Sequence, residues 1–170
     1  HHPGAHDRGD RRVGRLAHAF DEGDAHEVHD VVGELGGNQL APQRVLRQPP
    51  GQKHVTCNAD EGDSGTYSDR MLMEGDPFAL IEGMTIAGVA VGASQGYVYL
   101  RVEYPHACET LRAAIVAART AGYLGSDVCG SGRCFDIELR LGAGAYICGE
   151  ETSMLESIEG RRGEVRVRPP

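Results

Sequence analysis

The sequence predicts an α/β domain in which a mostly parallel sheet is flanked by helices, and three observations predict it. From Lys53 onward, strand-like runs alternate with helical stretches of roughly ten to seventeen residues, the pattern of βαβ units. Two of the strands run into polar, glycine-bearing loops, the position where parallel sheets bind ligands. The chain has 170 residues, 40% of them hydrophobic, which is enough to bury a core and suits one domain. The architecture expected is Rossmann-like. Because the chain stops at Pro169-Pro170, directly after the strand-like run Arg166-Val167-Arg168, it reads as an incomplete domain.

Residues 1–52 stand apart. Residues 1–50 hold six of the eight His and contain no Ser, Thr, Ile, Met, Tyr, Cys or Lys. They end in Arg47-Gln48-Pro49-Pro50-Gly51, a loop signal. The stretch reads as an atypical arm: a linker, a disordered segment, or peptide outside the true reading frame, the last being favoured. A short amphipathic helix near residues 25–35 fits its few apolar residues. No His pair there has metal-ligand spacing.

The elements of 53–170 follow in order. His54-Val55-Thr56-Cys57 is a short β-like run that enters an acidic loop. Ser68 or Asp69 caps a helix through Met73. Asp76 and Pro77 restart the chain as N-cap and first-turn proline of a second helix. Residues 77–93 are apolar on nearly every face, which predicts a buried helix. Tyr97 to Glu103 is β-branched and aromatic, hence a strand. Pro105 opens a helix to about Ala121, with the stripe Cys108, Leu111, Ile115, Ala118 and a stop at Gly122. Phe135, Ile137, Leu139 and Leu141 alternate with Asp136, Glu138 and Arg140 as a strand. A last helix spans about Glu150 to Ile158 and stops at Gly160.

Composition narrows the function. A formal charge of −8 argues against a general nucleic-acid binder, which needs a basic face. No apolar run reaches the ~18–20 residues of a membrane span, and no secretory signal is evident. Five Cys without a disulfide rhythm read as reduced thiols in the cytoplasm. Cys57, Cys108 and Cys148 sit in apolar or small-residue settings and read as buried thiols. Cys129 and Cys134 enclose four residues and read as free thiols rather than a metal loop.

Chemistry concentrates in two loops. Asn58-Ala59-Asp60-Glu61-Gly62-Asp63-Ser64-Gly65-Thr66 carries three carboxylates and an amide after a strand. Such groups accept hydrogen bonds from hydroxyls and ring N–H groups, so they suit a ribose diol, a flavin edge or a hard cation; a solvated acidic turn is the plain alternative. Gly142-Ala143-Gly144-Ala145-Tyr146-Ile147-Cys148-Gly149-Glu150-Glu151-Thr152 lets backbone approach a ligand at a helix start. It is neither the dinucleotide fingerprint nor a Gly-Lys-Ser phosphate loop. Glu150 and Glu151 complement the helix dipole and repel a phosphate, so a ring or sugar fits better than a triphosphate.

Several blocks occur in order: Cys57 to Thr66, Asp69-Arg70, Leu80-Ile81-Glu82-Gly83-Met84, Gly142 to Thr152, and Glu159-Gly160-Arg161-Arg162-Gly163. Over residues 53–170 they resemble the FMN- and NADH-binding flavoprotein family. That family includes the 51 kDa-type subunit of respiratory complex I, the diaphorase subunit of NAD-reducing hydrogenases and the β subunit of NAD-dependent formate dehydrogenases. Gly62-Asp63-Ser64-Gly65 and Met71 to Phe78 look most like the formate dehydrogenase branch. The resemblance implies that Asn58, Asp60 and Glu61 contact FMN and that Tyr146, Gly149 and Glu150 line the flavin site. It places Asp63 and Glu151 on the nicotinamide nucleotide side, with Asp63 where members often carry Glu. It implies hydride transfer between NAD(H) and FMN, with no catalytic acid–base pair, and onward transfer to iron–sulfur subunits, with a molybdenum-containing subunit in the formate branch. The family's 4Fe-4S ligands, its Gly-Arg-Gly-Gly loop and the aromatic stretch after it are absent from this chain, and the missing loop is why residues 1–50 read as foreign. A truncated α/β module that only docks subunits, and a cation-dependent hydrolase using the acidic loop, are the alternatives.

Overall fold

The computed structural model describes residues 17–22, 28–31, 51–63 and 65–167. Its sheet has five strands: β1 (Ala17–Glu22), β2 (Val28–Val31), β3 (Gln52–Ala59), β4 (Gln95–Leu100) and β5 (Asp136–Leu141), in the order β2-β1-β3-β4-β5. β3, β4 and β5 run parallel, with Cys57 beside Val98 and Val98 beside Leu139. β1 is antiparallel to both β2 and β3. Helices α1 (Ser68–Gly75) and α2 (Pro77–Val91) lie between β3 and β4, α3 (Pro105–Thr120) lies between β4 and β5, and α4 (Glu151–Ile158) follows β5. The expected α/β fold with its parallel sheet is present.

One sequence expectation for the amino-terminal arm meets a strand instead. Residues 17–22 pair along β3 from Gln52 to Cys57, and residues 28–31 form β2 where a short helix was expected. The physical reason is local: Val-His-Asp-Val has the β-branched alternation of a strand, and β1 gives the N–H and C=O groups along one side of β3 their ladder partners. The remainder of the arm, including His1, His2, His6 and His26, lies outside the described residues.

The core forms where the patterning put it. Val55, Cys57, Ala59, Val98, Leu100 and Ile137 point to one face and meet Leu80, Met84, Leu111 and Ile115 of the helices. Tyr99, one residue out of phase, points to the other face and meets Cys148, Met154 and Leu155. Each fully buried residue such as Leu111 contributes about 1.5–3 kcal/mol. The whole α3 stripe, Cys108, Leu111, Ile115 and Ala118, is buried. Pro77 opens α2, and Asp76 caps it by accepting from the Ala79 N–H at 3.2 Å.

Three details depart from expectation. The N-cap of α1 is Tyr67, in the left-handed region at φ 44°, and neither Ser68 nor Asp69 caps it. On α2, Phe78 and Ile86 face outward at 53% and 62% exposure, so the helix is buried on one side only. Residues 162–167 form no strand, because Arg166 is bound to α4 instead: its N–H donates to Thr152 Oγ1 at 2.9 Å and its Nε meets Glu156 Oε1 at 2.8 Å. Arg168 lies outside the described residues.

Candidate functional site

Parallel pairing brings the carboxyl ends of β3 and β5 to one edge, and each strand then releases its loop. The two loops enclose a hollow of about 510 Å³ lined by Asn58, Asp60, Glu61, Gly62, Asp63, Thr66, Ser68, Asp69, Tyr146, Ile147, Gly149 and Glu150. Seven of the eight residues singled out from the sequence therefore converge. Glu151 does not: it is buried as the first residue of α4, behind the lining. The sequence reading did not select Thr66, Ser68, Asp69 and Ile147, although their nearness to the two loops was a usable signal.

The loops are stitched together directly. Asn58 Nδ2 donates to the Gly149 carbonyl at 2.9 Å. A Cβ on Gly149 would stand 3.0 Å from the Asp60 carbonyl oxygen, so this glycine lets one loop approach the other. Its expected use was an approach of backbone to a flavin; the contact it makes is with Asp60. Tyr146, 78% exposed, lays its ring where a side chain on Gly62 would stand, with Cε2 2.7 Å from that Cβ position. An aromatic face thus forms one border of an otherwise acidic hollow.

Glu61 and Glu150 hold helices. Glu61 Oε1 accepts from Thr66 Oγ1 at 2.6 Å, Ser68 Oγ at 3.3 Å and the Asp69 N–H at 3.3 Å. Its Oε2 accepts from the Arg70 N–H at 3.4 Å and Tyr104 Oη at 3.2 Å. This one carboxylate caps α1 from seven residues upstream, which explains the missing local cap. Burial pushes its pKa up, but the bonds from Thr66, Asp69, Arg70 and Tyr104 outweigh burial and hold it below the usual glutamate value. Glu150 is the N-cap of α4, and its Oε2 accepts from Thr152 Oγ1 at 2.6 Å and the Ser153 N–H at 3.0 Å. Its pKa is likewise lowered, the bonds from Thr152 and Ser153 outweighing burial.

Asp60 differs. Burial raises its carboxyl, only partly offset by the Arg101 guanidinium, with Glu103 adding to the rise. Arg101 lies behind the loop, where it donates to the Glu61 carbonyl, pairs with Glu103 at 3.3 Å and sits over the Tyr104 ring. On the far side of the sheet, Tyr99 Oη and Ser157 Oγ are 2.8 Å apart, tying β4 to α4. Burial, with Cys148 beside it, pushes that phenol up to about 12. Cys57, Cys108 and Cys148 are buried, and burial raises the Cys57 thiol far out of the reactive range.

Comparisons with known proteins give a family and relatives. The family described as "Nuo51 FMN-binding domain" matches residues 28–170. The chain belongs to this family. Among relatives, NADP-reducing hydrogenase subunit HndC of Solidesulfovibrio fructosivorans is 53% identical over 119 residues, covering 70% of this chain and 24% of the relative. The mitochondrial NADH dehydrogenase (ubiquinone) flavoprotein 1 of Dictyostelium discoideum is 48% identical over 129 residues, covering 76% of this chain and 26% of the relative. Among solved structures, the NAD+-reducing [NiFe]-hydrogenase in its air-oxidized state superposes with a TM-score of 0.65 at 39% identity, covering 79% of this chain and 22% of that one. The chain thus spans about a quarter of the length of these relatives.

The donor set of the hollow fits the flavin of this family. Asn58 and the carboxylates suit the ribityl hydroxyls and the ring N–H, and the exposed Tyr146 face suits a flat ring.

Proposed function

We propose that this chain forms the flavin-holding part of an NADH-linked electron-transfer subunit, in which NAD(H) and FMN exchange a hydride. The observation that carries this reading is the convergence of Asp60 and Glu150, from loops about ninety residues apart in sequence, on one hollow bordered by an aromatic ring. Bound FMN would supply a ring that accepts two electrons and passes them on singly. The protein's task is placement. Asn58 keeps the loops in register, Tyr146 offers a face, and Asp60 and Glu150 present oxygens to hydroxyls and N–H groups. Asp63, exposed at the edge of the hollow, and Glu151, the first residue of α4, are assigned to the nicotinamide nucleotide side. Acidic groups there favour a free 2′-hydroxyl over a 2′-phosphate, hence NADH over NADPH.

Finer assignments rest on the sequence blocks. We assign the parent to the formate dehydrogenase branch, with iron–sulfur subunits and a molybdenum-containing subunit as partners, on Gly62 to Gly65 and Met71 to Phe78. The functional domain is assigned to residues 53–170, which carry both loops, and the arm to 1–52. Among the described residues no helix is long and apolar enough to cross a membrane. A cytoplasmic setting is assigned on the free thiols.

The test is anaerobic. The purified chain loaded with FMN is expected to lose its visible flavin absorbance on adding NADH and to lose far less with NADPH. A chain that takes up no flavin overturns the reading and leaves a docking module. A second prediction isolates the stitch between loops. Asn58→Asp puts a carboxylate against the Gly149 carbonyl, and flavin affinity is expected to fall about tenfold or more, as suits about 1.4 kcal/mol or more. Fluorescence-quenching titration reads it; an unchanged Kd contradicts the stitch.

A further inference from the structure

We propose that residues 163–166, packed along α4, aim the Glu150 carboxylate at the flavin through the hydroxyl of Thr152, which makes Thr152, Gly163 and Arg166 positioning residues for the hollow. The inference rests on the flavin reading above and deepens it, by naming what orients one of the groups offered to the flavin.

Glu150 borders the hollow from the position just before α4, and two donors converge on its Oε2. They are the Thr152 hydroxyl at 2.6 Å and the Ser153 N–H at 3.0 Å. The Ser153 bond is an ordinary N-cap bond and serves the helix. The Thr152 bond is of another kind. A hydroxyl has one proton, free to rotate toward any nearby acceptor. Here a second group directs it: the Arg166 N–H, fourteen residues on, donates to Thr152 Oγ1 at 2.9 Å. With that donor on Oγ1, the hydroxyl proton turns away from Arg166 and onto Glu150. Each bond polarises the next, so the two strengthen together. Thr152 is 1% exposed, which keeps bulk water from competing for the hydroxyl.

The segment is fitted to α4 at two further points. Arg166 Nε meets Glu156 Oε1 at 2.8 Å, and Glu156, four residues after Thr152, lies on the same helix face. Gly163 sits against the helix start, where a Cβ would stand 2.8 Å from Cys148 Sγ and 3.2 Å from the Ser153 carbonyl oxygen. Cys148 and Ser153 are both buried, so neither has open space into which to yield. Residues 163–166 are not among those lining the hollow. Their route to a bound flavin is the chain Arg166 N–H, Thr152 hydroxyl, Glu150 carboxylate.

The experiment titrates FMN into the full 170-residue chain and its variants by fluorescence quenching, with thermal melts alongside. Thr152→Val keeps the shape and removes the hydroxyl, and FMN affinity is expected to fall about fivefold. Thr152→Ser keeps the hydroxyl and loses a methyl; its affinity is expected to stay within about twofold of wild type, even where its melting temperature falls as far as that of Thr152→Val. Gly163→Ala displaces the segment from outside the hollow and is expected to weaken FMN about threefold, but less than about twofold further in the Thr152→Val background, because the two act along one route. Wild-type affinity in Thr152→Val or in Gly163→Ala, a Thr152→Ser variant as weak as Thr152→Val, or full additivity of Gly163→Ala and Thr152→Val each overturns the proposal while the flavin site stands. If Thr152→Val does not fold, Thr152→Ser and Gly163→Ala decide by the same values. A wild-type chain that binds no FMN overturns the flavin reading, and this inference with it.

Discussion

Glu61→Ala is expected to lower the unfolding free energy by about 2–4 kcal/mol and to abolish flavin binding, because one buried carboxylate holds both the acidic loop and the start of α1. Alanine leaves the first-turn N–H groups of Asp69 and Arg70 without their acceptor, and the Tyr104 hydroxyl loses its partner in buried space. Arg70 and Arg101, both stacked near the Tyr104 ring at 5.4 and 5.1 Å, then face a loop that has lost its anchor. Differential scanning calorimetry is expected to show a melting temperature lower by roughly 5–15 °C. A shift within about 2 °C of wild type contradicts the anchoring role at about the half-kilocalorie level.

Acid gives an independent reading of the same carboxylate. Its folded pKa lies below the ordinary glutamate value of 4.5, so the folded state holds the ionised form. The stability it contributes is fully present above pH 4.5 and is lost as pH falls through the lowered folded value. Glu150 acts with the same sign. Asp60 acts with the opposite sign: its raised pKa lets the folded state bind a proton earlier, which offsets part of the loss. In denaturant titrations at a series of pH values, Glu61→Gln is expected to flatten the fall in stability below pH 4.5. A slope equal to wild type overturns the assignment.

The sequence displayed whatever depends on near neighbours. Asp76 and Pro77 are adjacent, so cap and first-turn proline were readable, and both stand where expected. The α3 stripe recurs at helical spacing and is buried throughout. The two site loops follow strands and carry distinctive residues, so all but Glu151 of the chosen residues reach the hollow. What the sequence concealed depends on distance along the chain. Glu61 caps a helix that begins seven residues later, beyond any local capping pattern, and this allows Tyr67 to sit at a positive φ without a side-chain cap of its own. Gly149 faces Asp60, about ninety positions away, so its role as a loop-to-loop contact was invisible until β3 and β5 were placed in one sheet. The outward faces of Phe78 and Ile86 were hidden for another reason: a helix apolar on every side gives no phase to tell which side is covered.

The same distance effect governs the second large prediction. Gly88→Val is expected to destabilise the fold by about 3 kcal/mol, through the ring of Phe135. Any Cβ on Gly88 would overlap that ring, with Cζ at 2.9 Å and Cε2 nearer still. The same ring also fills the space that Gly96 leaves open, since a Cβ there would stand 2.8 Å from its Cζ and 3.1 Å from Met84 Cε. Phe135 is fully buried between α2 and β4, and two glycines on its neighbours make that space. Its backbone is fixed as well, by reciprocal bonds with Gly125 at 2.7 and 3.0 Å. Helix propensity favours replacing glycine, by up to ~1 kcal/mol for alanine and less for a β-branched residue, so overlap has to outweigh that gain. If it does, shortening the ring should relieve it: Phe135→Leu alone costs stability, but with Gly88→Val it is expected to recover about 1 kcal/mol or more relative to the sum of the single changes. Strict additivity in that double-mutant cycle, measured by urea unfolding, contradicts the packing argument. The consequence reaches the site because Phe135 directly precedes β5, and the carboxyl end of β5 launches the loop bearing Tyr146 and Glu150. Flavin affinity in Gly88→Val is therefore expected to fall in step with stability, and to return with it in the double variant.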